Sequence, residues 1–318
     1  MLNSGWDGYI NTDVAAEIYP EMSVYSAGVS GTNIHVMRRI AEHAVELHDV
    51  QSVIMMIDFV SMNDARPDGA GWKDERYLGG RITETPIAVY SNFLSFEMAK
   101  SSWSKLNQDE KSPVDVTRKS RTRSQRETLW QQALVEFYRY DLYGCYSLSD
   151  QTAEHLDKAL AVLKQNNVDV IIMTPVIHST LLEMVEWTNN WPNYEKFLHV
   201  LTAVGAKYDV PVWHFSPYSQ LTSFDVLSES HKIDSDDTNV HSFYDPGHAS
   251  HALVSDALRL VKGFKTRNDT PSDFAVKLLP KTVDGELAKL AQSRLEFLKT
   301  APDILSLMPK RQPADRCQ

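Results

Sequence analysis

The sequence predicts an α/β protein built on a mostly parallel sheet with helices over both of its faces. Three observations carry this reading: short β-branched apolar runs, amphipathic stretches of helical period between them, and the alternation of the two along most of the chain. With 318 residues, 42% of them hydrophobic and 23% charged, the chain is long and apolar enough to bury a large core. That balance excludes disorder as the main state.

The elements follow in order. SVYSAGV (23–29) and QSVIMMI (51–57) are short and apolar, as strands are. Between them Val36, Met37, Ile40, Ala41, Ala44, Val45 and Leu47 recur at helical spacing, so the unit reads strand, helix, strand. Ser149 is an N-cap candidate for a helix through Leu163. VDVIIMTPV (168–176) reads as a buried strand, Tyr194 to Val204 as a helix and VPVWHFS (210–216) as the next strand. A last amphipathic helix spans about Ala249 to Val261.

Two regions break the alternation. Between Met62 and Tyr146 polar loops surround two helix-like stretches, Ile87 to Leu106 and Ser124 to Tyr140, which predicts a helical insertion at about 64–148. Beyond residue 265 comes a C-terminal helical extension and tail, with Gly285 to Leu298 the clearest helix. The division is therefore an α/β domain at 1–265 and an extension at 266–318.

Composition narrows the function. Lys and Arg number 32 against 42 Asp and Glu, a formal charge of -10, which opposes a general electrostatic partnership with nucleic acid. The two cysteines, Cys145 and Cys317, are far apart, so neither a disulfide framework nor a zinc cluster is evident. No apolar run approaches the roughly 18 residues of a membrane span, and the first residues lack the pattern of a signal. Membrane association would require a segment upstream of Met1.

The chemistry concentrates in YDPGHASHAL. Asp245 and His248 stand three apart in a Pro/Gly turn just before the last helix. A carboxylate on one imidazole nitrogen fixes the tautomer and leaves the other to take a proton from a hydroxyl nucleophile. The helix N-terminus nearby favours the neutral ring. The bland alternative is a turn-forming Asp beside a surface His. A second segment, SAGVSGTN (26–33), follows a predicted strand and opens a helix, so its glycines lie at the carboxyl edge of a parallel sheet. Gly28 and Gly31 would let the backbone approach a substrate and donate an N–H to an oxyanion.

Together these segments resemble the SGNH (GDSL-like) hydrolase superfamily, in particular the divergent branch that includes bacterial polysaccharide O-acetylation proteins. The resemblance spans roughly residues 1–262. SAGVSGTN is similar to the family's N-x-G-x-S-G block, with Ser26 in place of its Asn and Gly31 at the oxyanion position. Asp245 and His248 match the late D-x-x-H, and NSGWDGYI (3–10) looks like a degenerate first block with Ser4 at the nucleophile position. The resemblance implies a three-layer, flavodoxin-like α/β sandwich. It also implies ester hydrolysis or O-acyl transfer on a carbohydrate-like substrate by a Ser4, His248 and Asp245 triad, with no cofactor and no metal.

The sequence departs from the family pattern in three places. Only three residues precede Ser4, so the strand that should carry the nucleophile is expected to be absent or truncated. Asp58, in MMIDFVSMND, stands where the third block has its oxyanion Asn, and a carboxylate there would repel an oxyanion. Asn63 is the nearby substitute. Gly5 stands where the branch often has Arg. These departures favour the alternative, an inactive relative that binds a polysaccharide or a protein partner.

Other candidates each carry a bland reading, of equal weight for His178 and the favoured one for the rest. His178, in TPVIHST, is expected at the same sheet edge as a substrate contact, or else as a structural loop residue. His241, Asp245, His248 and His251 could suggest a metal site, but the triad reading uses two of them more economically. Trp187 and Trp191 would stack on sugar or pack. RKSRTRSQR, with Arg118, Lys119, Arg121, Arg123 and Arg126, reads as a solvated loop or as an anion patch. Phe137, Tyr138, Tyr140, Tyr143 and Tyr146 read as packing for the insertion.

Overall fold

The computed structural model describes residues 2–3, 20–21, 23–24, 31–47, 49–68, 123–226, 243–266 and 270–310. The predicted strand at 23–29 and the predicted helix at 87–106 lie outside the described residues, apart from 23–24, and so do Ser4, Gly5, Ser26, Gly28 and His241.

The elements in chain order are β1 (Leu2–Asn3), α1 (Ile34–Leu47), β2 (Ser52–Met56), α2 (Arg123–Phe137), α3 (Asp150–Gln165), β3 (Asp169–Met173), α4 (Ser179–Trp187), α5 (Trp191–Lys207), β4 (Val212–Phe215), β5 (Phe243–Asp245), β6 (His248–Ala249), α6 (His251–Val261), β7 (Ala275–Leu278) and α7 (Val283–Thr300). Five strands form one sheet in the order β1-β2-β3-β4-β7, and β5 and β6 form a separate hairpin. Strands β1 to β4 are mutually parallel, as the alternation predicts.

The two central strands show why. In β2 (SVIMM) and β3 (DVIIM) every residue after the first is buried, the continuous apolar run of a strand covered on both faces. They pair in register from Ser52 opposite Asp169 to Met56 opposite Met173. A parallel pair needs a long crossover, and α3 supplies the return from β2 to β3. Its N-cap is the predicted one: the Ser149 side chain accepts from the Thr152 N–H at 3.2 Å, with Asp150 in the first turn and Lys164 in the last complementing the helix dipole. Asn167, Asn189 and Asp209, just past the ends of α3, α4 and α5, adopt positive φ of 56°, 58° and 52°. Asn and Asp tolerate this left-handed conformation better than most residues, which is how the chain leaves three helices in tight turns.

Three features refine or depart from the sequence reading. First, of the two expectations for the strand before Ser4, absent or truncated, the second holds: it is a two-residue strand, with Leu2 opposite Met55 and Asn3 opposite Met56. Second, the segment expected as a purely helical extension adds β7 to the sheet, antiparallel to β4 from Val212 opposite Leu278 to Phe215 opposite Ala275. AVKL is too short to announce itself by period alone, and its place follows from burial of Leu278 and of the preceding Phe274. Third, Cys145 is disulfide-bonded, which its spacing in sequence does not show. The chain's other cysteine, Cys317, lies outside the described residues.

The insertion packs as its aromatic residues predict. Phe59 stacks on Tyr146 with ring centroids 3.8 Å apart, Tyr143 approaches Phe59 and Phe137, and the Tyr146 hydroxyl donates to the Phe59 carbonyl at 2.9 Å. Arg126, from the basic run, is buried on α2 and donates to the Val226 carbonyl, so this arginine is not part of a solvated patch. Trp187 donates to the Pro309 carbonyl and Trp191 to Glu195, both half-buried, which is the packing reading. Among the described residues no helix is long and apolar enough to cross a membrane.

One buried ion pair fastens α7 to the domain. Glu183 on α4 is 1% exposed and accepts two hydrogen bonds from Arg294 Nε, at 3.1 and 3.0 Å, one from Arg294 Nη2 at 2.9 Å and one from the Tyr218 hydroxyl at 2.7 Å. Burial works against the Arg294 charge, but Glu183 outweighs it and holds the guanidinium pKa above its ordinary value. Removing one partner strands the other charge in the core. Arg294→Ala is therefore expected to lower unfolding stability by about 3 kcal/mol or more, measured by urea denaturation. A loss below about 1 kcal/mol would show that the pair is not the clamp described.

Candidate active site

The parallel strands end together at one edge, where Asn63 follows β2 and His178 follows β3. The hairpin β5–β6 presents the dyad. Asp245 Oδ2 sits 2.5 Å from His248 Nδ1, and Asp245 Oδ1 accepts from the backbone N–H groups of Gly247 and His248 at 2.8 and 3.1 Å. The carboxylate is thus held at both oxygens, one by the turn and one by the ring. Both side chains are largely shielded, at 23% and 21% exposure. With Nδ1–H donating to the carboxylate, Nε2 is the basic nitrogen of the ring. Ser250 then caps α6, its hydroxyl accepting from the Leu253 N–H.

Gly247 is closely packed. A Cβ there would stand 2.9 Å from the ring of Phe137, so α2 presses directly on the turn that carries His248. The bland reading of a loose turn with a surface histidine is replaced by a shielded, tightly packed acid-base pair.

Gly31 precedes α1 with φ of +73°, a conformation glycine adopts without steric penalty. Its neighbour is Arg66, a residue the sequence reading did not single out. Arg66 is 6% exposed, its Nε donates to the Thr32 carbonyl at 3.1 Å, and its own carbonyl accepts from the Asn33 side chain at 3.0 Å. A buried guanidinium therefore ties the loop after β2 to the Gly31 turn. No periodicity signals a buried arginine in a polar loop, and the only hint is its position just beyond a strand end.

Asn63 and Asp58 shape this loop. Asn63 Nδ2 donates to the Leu142 carbonyl at 2.9 Å, and its Oδ1 accepts from the N–H groups of Ala65 and Ser147. One of its amide N–H groups and its Oδ1 hold the loop to the insertion. Asp58 is buried, and its Oδ1 accepts from the Ser61 N–H at 2.6 Å within the short 3-10 turn Val60–Met62. A carboxylate committed to a turn is a weaker objection to oxyanion chemistry than the sequence alone suggests. Asp64, next to Asn63, accepts from Ser147, Ser149 and Thr152; burial raises its pKa, but these bonds outweigh burial and hold it below the ordinary carboxylate value.

His178 is a packing residue, which corrects its expected role as a substrate contact. It is fully buried, Nδ1 accepts from the Thr180 N–H at 3.2 Å as the N-cap of α4, and Nε2 donates to the Phe224 carbonyl at 3.1 Å. Trp130, Phe224 and Phe243 meet its ring edge-on. Among the described residues no cluster of three or more His, Cys, Asp or Glu could hold a metal ion.

A cavity of about 50 Å³ lies under the sheet edge, lined by Asp58 and Val60 after β2, Thr174 and Val176 after β3, His214 and Phe215 on β4, and Gly247 and Ala249 on either side of His248. It is the feature that brings the β2 loop and the dyad hairpin to one place. No family model matches this chain, and neither a curated protein nor a solved structure is significantly similar to it.

His214, on the cavity wall, is 1% exposed, and burial pushes its pKa down to about 4. The folded ring stays neutral below the pH at which an unfolded histidine, near 6.5, takes up a proton. Stability from this group is thus complete above about pH 6.5 and is lost as pH falls toward 4, by about 3 kcal/mol in all. Urea denaturation at pH 7 and pH 4.5 is expected to show this loss, and His214→Gln is expected to shrink it. An unchanged difference in the variant would contradict the assignment.

Proposed function

We propose that the chain is a serine-dependent esterase or O-acyltransferase of the SGNH type, a three-layer α/β sandwich acting on an acylated, carbohydrate-like substrate. The observation that carries the proposal is the shielded Asp245–His248 pair on a hairpin beside the cavity at the carboxyl edge of a parallel sheet. Acid-base pairs of this geometry activate hydroxyl nucleophiles. Strand β1 supports Ser4 as that nucleophile, because Asn3, the residue before it, pairs with Met56 at the carboxyl end of β2.

In the proposed reaction Ser4 Oγ attacks the acyl carbonyl while His248 Nε2 takes its proton. Asp245 keeps the ring in the tautomer that can accept and stabilises the imidazolium that forms. The backbone N–H groups of Ser4 and Gly31 donate to the oxyanion. His248 then returns the proton to the leaving alcohol, and water or an acceptor hydroxyl releases the acyl group in a second round. The triad needs no cofactor. Substrate carrier and acyl acceptor are read from the family resemblance, and the acidic chain gives no reason to include nucleic acid among the partners.

His248→Ala is expected to reduce hydrolysis of 4-nitrophenyl acetate by roughly a thousandfold or more while the thermal unfolding midpoint stays within a few degrees. Unchanged turnover in His248→Ala would overturn the proposal.

A further inference from the structure

The cavity wall holds a polar group that the proposed triad does not use. His214 Nε2 is buried with no hydrogen-bond partner, while Nδ1 lies 3.2 Å from Thr174 Oγ1. Thr174 Oγ1 already accepts from the Phe215 N–H at 3.1 Å, and its own proton has His214 Nδ1 as the acceptor within reach. With Thr174 assigned as the donor to Nδ1, the ring proton lies on Nε2. His214 therefore presents a neutral N–H donor, and a buried donor without an acceptor is destabilising unless a ligand or water satisfies it.

The surroundings limit what the acceptor is. Val60, Val176, Leu182 and Phe215 make the walls largely apolar, and Asp58 lines the same space. An anionic group would face that carboxylate, whereas a hydroxyl can accept from His214 and has a proton of its own to give. A water occupies about 10–15 Å³ of such space, so a cavity of about 50 Å³ holds roughly four non-hydrogen atoms. Gly247 and Ala249, the chain neighbours of His248, line this space.

We propose that this cavity is the acyl pocket and that it selects a short acyl chain bearing a hydroxyl group, with His214 as the specificity-determining residue that donates to the hydroxyl oxygen. The inference rests on the ester chemistry proposed above for its biological meaning, but the pocket is testable without turnover. The probes are 3-hydroxypropionamide and butyramide, which differ only by hydroxyl against methyl at the chain end and cannot be hydrolysed as esters.

Full-length protein labelled with ¹⁵N-histidine is titrated with each, and the His214 ring signals are assigned by their absence in His214→Gln. The expected result is a saturable shift of the His214 Nε2 signal, with 3-hydroxypropionamide binding about five- to tenfold tighter than butyramide. By thermal shift, the preference persists in part in His214→Gln, which keeps an N–H donor, and vanishes in His214→Leu. Equal affinities, or no saturable shift because the cavity holds internal water only, overturn the assignment. The wild-type comparison decides the matter even where His214→Leu does not fold. If His248→Ala leaves ester hydrolysis unchanged while the binding preference stands, the triad fails and the pocket survives. Loss of the preference with His248-dependent turnover intact sinks the pocket alone.

Discussion

Parallel strands buried on both faces must return by crossovers, so every strand of the parallel set ends at the same edge. In this chain that constraint does most of the positioning. Strands β1, β2, β3 and β4 run the same way, and the residues that follow three of them, with those around His248, line one cavity. Apolar strand interiors, set by packing alone, thus determine where the polar loops meet. The site inherits its location from the core rather than from any attraction between its own charged groups.

The proposed chemistry also requires the loops at this edge to be held still, because catalytic geometry tolerates little displacement. The loop after β2 is fixed by Asn63 to Leu142 and Ser147, by Asp64 to the start of α3 and by Arg66 to the turn at Thr32. The dyad hairpin is fixed by Phe137 against Gly247. The insertion has the same function at both points: α2 braces the histidine turn, and the segment around Tyr143 to Ser147 braces the β2 loop. Glu183 and Arg294 dock the last helix beside α4, whose Leu181, Leu182 and Val185 line the cavity.

Much of the fold was legible in the sequence because its signals are local. The runs SVIMM and DVIIM are apolar at every position a doubly covered strand buries, and Ser149 supplies the cap that its helix needs. Strand β7 and helix α4 were missed because AVKL is short and STLLEMVEW follows a histidine cap that does not stand out in sequence. Within the site, Asp245 and His248 were legible because turn residues bring them together over three positions. The packing of Asn63 and His178 was not legible because their partners lie 79 and 46 residues away. Arg66 was not singled out, and His214 was legible only as the end of its strand with no role assigned, for the same reason: a buried polar group is defined by what surrounds it, and sequence spacing does not contain that.

The central claim is that the Asp245–His248 pair activates a hydroxyl at the carboxyl edge of the sheet, and fluorophosphonate labelling followed by peptide mass spectrometry tests it most directly. A single adduct on Ser4 in the wild-type protein, absent in His248→Ala, is the expected result. No adduct, or one that forms equally without His248, would contradict the account.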